Sequence, residues 1–365
     1  LNAENGTGLP NDIGSIFRDS EIFTKSFFGK TESSSHRVEA GRFANMTLPR
    51  DYNFSTRSAY GFLRAPWNVN PNIYVTRYHS FCGISPIRGK NSATSDYEWP
   101  SCETHFRVTN TESFSSWFSF VWDIGYMPHG PVHSWIGGVG GECDNWSDFE
   151  EKGYLNITQI DSLKKNSFVI LKNAYRSFVV NPPSFCAADT PVSDCKLKCS
   201  DPNSTNTLSL FDNEIPWWDS VTTENQKMVS QKVFCETAFW PGDHLEAASP
   251  IEASFWPIHP TLERLLQYKD LTVPFTSSFW TNETSEVCLY SESDCKGHHP
   301  GDLTFWKTVV QEKSGSYASH HLTNAEVREA ILPRSGTYAV PYIYDSFEWD
   351  HCRELGVHFK AAPSL

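Results

Sequence analysis

Long apolar runs are missing from this 365-residue chain. Stretches such as Phe168 to Leu171 ("FVIL") fall far short of the roughly 18 to 20 residues that a membrane span requires, so none is expected. Runs of Lys or Arg are missing too. Thirty basic residues stand against 43 acidic ones, a formal net charge of −13, and without a basic footprint a nucleic-acid partner is excluded. No two cysteines show CxxC spacing, which favours disulfides over zinc. GxSxG does not occur, no Ser-His-Asp or Cys-His arrangement has local support, and no repeat of 20 to 50 residues is apparent.

What is present points to an oxidising, extracellular setting. There are ten cysteines, an even number, at positions 82, 102, 143, 186, 195, 199, 235, 288, 295 and 352, enough for up to five bridges of undetermined pairing. Asn-X-Ser/Thr acceptors occur at Asn5, Asn45, Asn53, Asn145, Asn156, Asn203 and Asn282, none with proline in the middle. The chain opens on Leu1 without a charged-then-apolar leader, so a signal peptide is expected to be already removed or to lie outside this sequence. A chain of this length encloses a substantial core as one large domain or two ordinary ones.

Residues 1–58 are polar, with short aromatic islands ("SIFRDSEIF", "KSFFGK"), and read as an extended N-terminal arm suited to self-assembly. Residues 59–365 read as one domain. "SSWFSFVWDIGY" (Ser115 to Tyr126) is apolar enough for a buried strand or a helix, and periodicity does not decide between them. Residues 140–240 carry five of the cysteines and "NPPSFCAADTPVSDCKLKCSDPNSTN", and read as a cysteine-rich insertion. A helix is expected near Pro260, where Leu262, Leu265 and Leu266 recur at helical spacing. A second is expected over Leu322 to Leu332, capped by Thr323 or Asn324 with Glu326 in its first turn.

"MPHGPVHSWIGG" (Met127 to Gly138) sets two histidines four apart. On a helix such residues share a face with Cβ atoms about 5 to 6 Å apart, the separation at which two imidazoles converge on one ion. Gly137 and Gly138 then end the turn. Capping a short helix, or bonding to backbone carbonyls, would explain the same pair. Zinc hydrolysis would need a general base after the first histidine, and Gly130 stands there.

A second stretch, "SPIEASFWPIHPTLER", resembles the last ligand segment of the type 3 copper proteins, the tyrosinases, catechol oxidases and haemocyanins. Ser249, Pro250, Phe255, Trp256, His259, Glu263 and Arg264 fill that pattern in order, and "GFLRAPWNVNPNIYVTR" and "PGDHLEAASP" resemble flanking segments in fungal and algal tyrosinase-domain proteins. The resemblance implies a mainly α fold with long irregular loops, a tyrosinase-like helical bundle core stapled by disulfides. It implies His129, His133 and His259 as the ligands of the family's second copper, with Glu263 orienting a ligand imidazole; pairing with Arg264 or exposure to solvent is the plainer role for that glutamate. Imidazole suits copper. The implied reaction is oxidation of a phenolic small molecule, an o-diphenol, by dioxygen.

The family needs two coppers and six histidines. Upstream of His129 stand only His36, His79 and His105, which cannot build the family's short ligand spacing, so one copper ion is expected from this chain. The other is expected from a segment outside these 365 residues, or from a second chain, or has been lost. Tyr126 and Gly130 stand where the family keeps a glutamate and an asparagine to hold the water that deprotonates monophenols, so o-diphenol oxidation is expected rather than monophenol hydroxylation. The stretch between His133 and His259 is longer than in the family and would cover the pocket mouth or build a contact surface. His298, His299, His320, His321, His351 and His358 read as surface or hydrogen-bonded residues. A non-catalytic structural glycoprotein of an extracellular assembly is the competing expectation.

Overall fold

A computed structural model describes residues 20–49, 58–64, 72–76, 82, 100–136, 139–181, 183–212, 214–244, 249–280 and 297–362. Among the described residues the α-helices in chain order are α1 (Cys102–Asn110), α2 (Trp117–Tyr126), α3 (His129–Trp135), α4 (Asp148–Glu151), α5 (Ile157–Arg176), α6 (Thr205–Asp212), α7 (Thr223–Gln231), α8 (His259–Thr272), α9 (Asn324–Ile331) and α10 (Asp350–Glu354). The strands among the described residues form four short antiparallel pairs. The protein is mainly helical with long irregular connections, as expected. Its chain divides into two compact units, residues 3–99 with 130–258, and residues 100–129 with 259–365.

In the first unit the segment 140–240 carries a helical core. Asn156 caps α5 through a reciprocal capping box with Gln159, which satisfies donors that a helix start would otherwise leave open. Ile160, Leu163, Ile170, Leu171 and Ala174 then line one face and are buried against Trp146, Phe149, Phe211, Trp218, Val229 and Phe234. Phe211 and Trp218 stack with ring centroids 4.2 Å apart, a flat aromatic pair that adds to the area it buries. Disulfides Cys82–Cys143, Cys186–Cys195 and Cys199–Cys235 staple this unit.

The arm expected over residues 1–58 is a packed element where it is described. Phe23 and Phe28 are buried with Leu63, Val75, Ile136, Ala253 and Ile258 in a second core cluster of the same unit. The aromatic islands are therefore anchors, because burying a phenylalanine is worth roughly 1.5–3 kcal/mol against leaving it exposed. Gly29 turns the chain at φ +89°, where a Cβ would collide with Val38 Cγ1, and its carbonyl accepts a bond from Arg64 Nη1 at 2.8 Å. Residues 1–19 lie outside the described residues.

The second unit is built on α1, α2 and α8. Serines cap the first two, Ser101 accepting from the Thr104 N–H and Ser116 from the Ser119 N–H. The undecided "SSWFSFVWDIGY" stretch is a helix whose Trp117, Phe120 and Ile124 are buried while Val121, Trp122 and Tyr126 are exposed. Phe120, Ile124 and Leu265 form its core with Leu262, Leu266, Phe275 and Trp349. Helix α8 starts at His259, as Pro260 and the leucine spacing indicate, and α9 is capped by Thr323 in a capping box with Glu326. Cys102–Cys352 ties α1 to α10 across 250 residues of sequence. Cys288 and Cys295 lie outside the described residues. Among the described residues no helix is long and apolar enough to cross a membrane.

Candidate metal centre

His129 opens α3, and its Nδ1 lies 3.0 Å from the carbonyl oxygen of Gly125 at the end of α2. A neutral imidazole that donates there keeps its proton on Nδ1 and presents a bare Nε2. That Nε2 is 3.1 Å from Nε2 of His259, the first residue of α8, with the rings 4.8 Å apart and nearly perpendicular. Burial and the neighbouring His129 push the His259 imidazole down to about 4, so it is neutral near pH 7, the form that coordinates a metal. His133 follows one turn along α3, and the ring nitrogens of His129, His133 and His259 all lie within 4.8 Å of one another. Ligands about 2 Å from one ion stand roughly 3–4 Å apart. The His129–His259 pair already meets that condition, and the three-imidazole donor set fits a borderline metal such as copper or zinc. This group could hold a metal ion.

His133 is packed by the first unit. Its ring lies 5.3 Å from that of His244 and 5.7 Å from that of Phe255. The antiparallel pairing of Val139–Glu142 with Ala238–Pro241 returns the chain from the end of α3 to the loop carrying His244. His244 is buried, and its Nε2 is 2.7 Å from Ser254 Oγ. His244 sits inside "PGDHLEAASP", and its spacing from the other histidines gives no signal of this role. Two of the resembling blocks also meet, which the sequence does not reveal: Arg64 of "FLRAPWN" binds Glu252 of "SPIEASF" through both carboxylate oxygens, at 2.8 and 3.3 Å, with both side chains buried. Nearby, burial and the adjacent Glu252 raise the Asp243 carboxyl to about 6, against the pull of Arg64 and the Thr76 N–H.

Other expected site residues fall elsewhere. Glu263 accepts bonds from the Tyr342 hydroxyl at 2.6 and 2.8 Å and from Tyr344 at 3.3 Å; Arg264 bonds the Ser346 carbonyl and packs over Trp349. The glutamate therefore anchors the 342–344 segment beside α8, since Tyr344 also reaches the Pro260 carbonyl. Upstream, His36 stacks on Tyr60. Burial, with the neighbouring His351 and Arg264, pushes the His105 imidazole down to about 4. His79, Gly137 and Gly138 lie outside the described residues. Of the glycosylation acceptors, Asn45, Asn156 and Asn203 are exposed, whereas Asn145 is partly buried and its Nδ2 donates to the Glu236 carbonyl at 3.1 Å. Asn5, Asn53 and Asn282 lie outside the described residues.

The second unit also holds a cavity of about 600 Å³ lined by Trp117, Phe118, Trp122, Tyr126, Trp280 and Trp306 among others. Gly125, whose carbonyl meets His129, forms part of its wall. No family model, no curated protein and no solved structure significantly matches this chain.

Proposed function

We propose that this chain is a secreted, tyrosinase-like copper protein that binds one copper ion through His129, His133 and His259, and that oxidises o-diphenols when a second copper is supplied from outside the chain. The convergence of three imidazoles carries the reading: two share a seven-residue helix, the third opens α8, and His129 and His259 direct Nε2 atoms at each other. Bound copper would supply one-electron redox chemistry, by which two o-diphenols would together give up four electrons and four protons to one dioxygen, which would end as two waters.

The chain's own residues do the positioning. The Gly125 carbonyl fixes the His129 tautomer, His259 stays neutral at working pH, and the cavity beside Gly125 offers tryptophan faces on which a phenolic ring stacks. The four disulfides among the described residues fit an oxidising compartment.

The test is metal content and copper titration of the purified protein, with His129→Ala and His259→Ala as controls. One copper per chain, lost in both variants, is the expected result. Absence of copper binding, or binding indifferent to both substitutions, overturns the proposal, and two coppers per chain would place the whole oxidase site here. A second reading, a metal-binding structural glycoprotein without oxidase activity, is favoured by the upstream histidines: among the described residues neither His36, which stacks on Tyr60, nor His105 belongs to a group of three side chains placed to hold a metal ion. Failure of the copper-loaded protein to oxidise any o-diphenol would select it.

A further inference from the structure

We propose that His244 is a positioning residue for His133, locked by a buried polar chain that runs back to Arg64; the inference rests on the reading of His133 as a metal ligand. Every link lies in the first unit. Arg64 and Glu252 form a bidentate pair with side chains 1% and 3% exposed. The Glu252 Oε1 atom that binds Arg64 also accepts from the N–H and the hydroxyl of Ser254, each at 3.4 Å. The Ser254 hydroxyl meets His244 Nε2 at 2.7 Å, with Ser254 and His244 both buried. The His244 ring then packs on His133 at 5.3 Å with planes 56° apart, and Phe255, the residue after Ser254, packs on His133 at 5.7 Å. His133 is thus held by two rings whose positions the same short segment sets.

A ligand imidazole must keep its ring orientation within about 10–20° for its lone pair to stay on the ion. A lone aromatic neighbour restrains a ring loosely; one hydrogen-bonded into a buried ion pair restrains it firmly. His244 is not itself a member of the nitrogen cluster, which comprises His129, His133 and His259, and its Nε2 is engaged by Ser254. Removing such an outer partner typically costs 10–100-fold in metal affinity.

The experiment uses the full chain with its disulfides intact and three variants, His244→Ala, His244→Phe and Ser254→Ala. Two readouts are taken. In metal-free protein, nitrogen-15 spectra of the imidazoles, with His133 assigned through His133→Gln, report its tautomer: one form is expected in the wild type and exchange-averaged signals in His244→Ala and Ser254→Ala. With copper(II) added, affinity is expected to fall about 10–100-fold in His244→Ala and to recover in part in His244→Phe, which refills the space without the serine bond. The paramagnetic resonance spectrum keeps the same number of coupled nitrogens throughout. A nitrogen lost from that spectrum in His244→Ala makes His244 a ligand and overturns the proposal. An unchanged His133 signal with unchanged affinity also overturns it. Copper binding indifferent to His133→Gln sinks the metal reading instead, while the metal-free spectra still decide whether His244 governs His133. Should His244→Ala fail to fold, the phenylalanine and serine variants carry both readouts.

Discussion

Lys269 lies on α8, the helix that begins at His259, and is wholly buried. Its ammonium donates to the Thr109 carbonyl at 3.1 Å, at the C-terminal end of α1, and lies over the rings of Phe120 and Phe275 at 5.7 and 5.3 Å. Burial pushes it down from the ordinary 10.5 to about 8, a penalty on the charged form of about 3 kcal/mol. Below pH 8 the lysine is protonated in both folded and unfolded chains, and that penalty is present in full. Between about pH 8 and 10.5 the folded chain has released a proton that the unfolded chain still holds, so stability rises with pH. Lys269→Met keeps the length and removes the charge. It relieves the penalty but strips the donor from Thr109, at about 1–3 kcal/mol, and a cation from a helix C-terminus, at up to about 1 kcal/mol. The two proteins should therefore lie within about 2 kcal/mol of each other at pH 7, and the wild type should gain about 3 kcal/mol on the variant by pH 10.5. Denaturant unfolding at intervals from pH 7 to 10.5 measures this directly. Parallel stability curves for the two proteins would refute a buried, charge-disfavouring lysine.

Two further outcomes follow from the covalent framework. Cys102 and Cys352 are 250 residues apart and Cys186 and Cys195 are nine apart, so loop entropy sets losses of about 5 and about 2.5 kcal/mol for their double serine variants. Equal losses on denaturant unfolding would refute the entropic account. Peptide mapping after expression in a secretory eukaryotic host should find glycans at Asn45, Asn156 and Asn203 and an unmodified Asn145, whose side-chain nitrogen is already bonded to Glu236. Full occupancy at Asn145 would contradict that contact.

Local signals were readable and distant pairings were not. Thr323 with Glu326, and Pro260 ahead of Leu262, Leu265 and Leu266, announce α9 and α8 because caps and helical spacing act within a few residues. In "SSWFSFVWDIGY" aromatics point to every side of the chain, so no period stands out, and the outcome turns on the Ser116 cap and on which ring finds a core. Phe23 and Phe28 looked like islands in a polar arm because their partners, Leu63, Ile136 and Ile258, are far away in sequence. The same holds for residues 140–240, where the apolar face of α5 packs on partners distant in sequence and the cysteines and prolines dominate the local pattern. At the site, the spacing of His129 and His133 was legible, and the position of His259 came through the resemblance. His244 and the Arg64–Glu252 pair were invisible, since nothing local to either marks which residue it will meet.

The buried polar chain bears on why the histidines are arranged as they are. Two charges removed from water seldom add net stability, and apolar replacements of similar volume are often as good or better. A carboxylate, a guanidinium, a hydroxyl and an imidazole strung together under 6% exposure therefore add little that Leu or Phe could not supply to the core. What they add is direction: hydrogen bonds fix a ring about its axis, which apolar packing does poorly. That chain ends on the ring of His133. A stiffened imidazole matters when its nitrogen must meet something with definite geometry, and two more imidazole nitrogens stand within 4.8 Å. Weakening the chain at Ser254 should thus disturb copper affinity before it disturbs folding. The reverse order, a large loss of stability with copper affinity intact, would assign the network to the core and leave the three histidines to explain themselves.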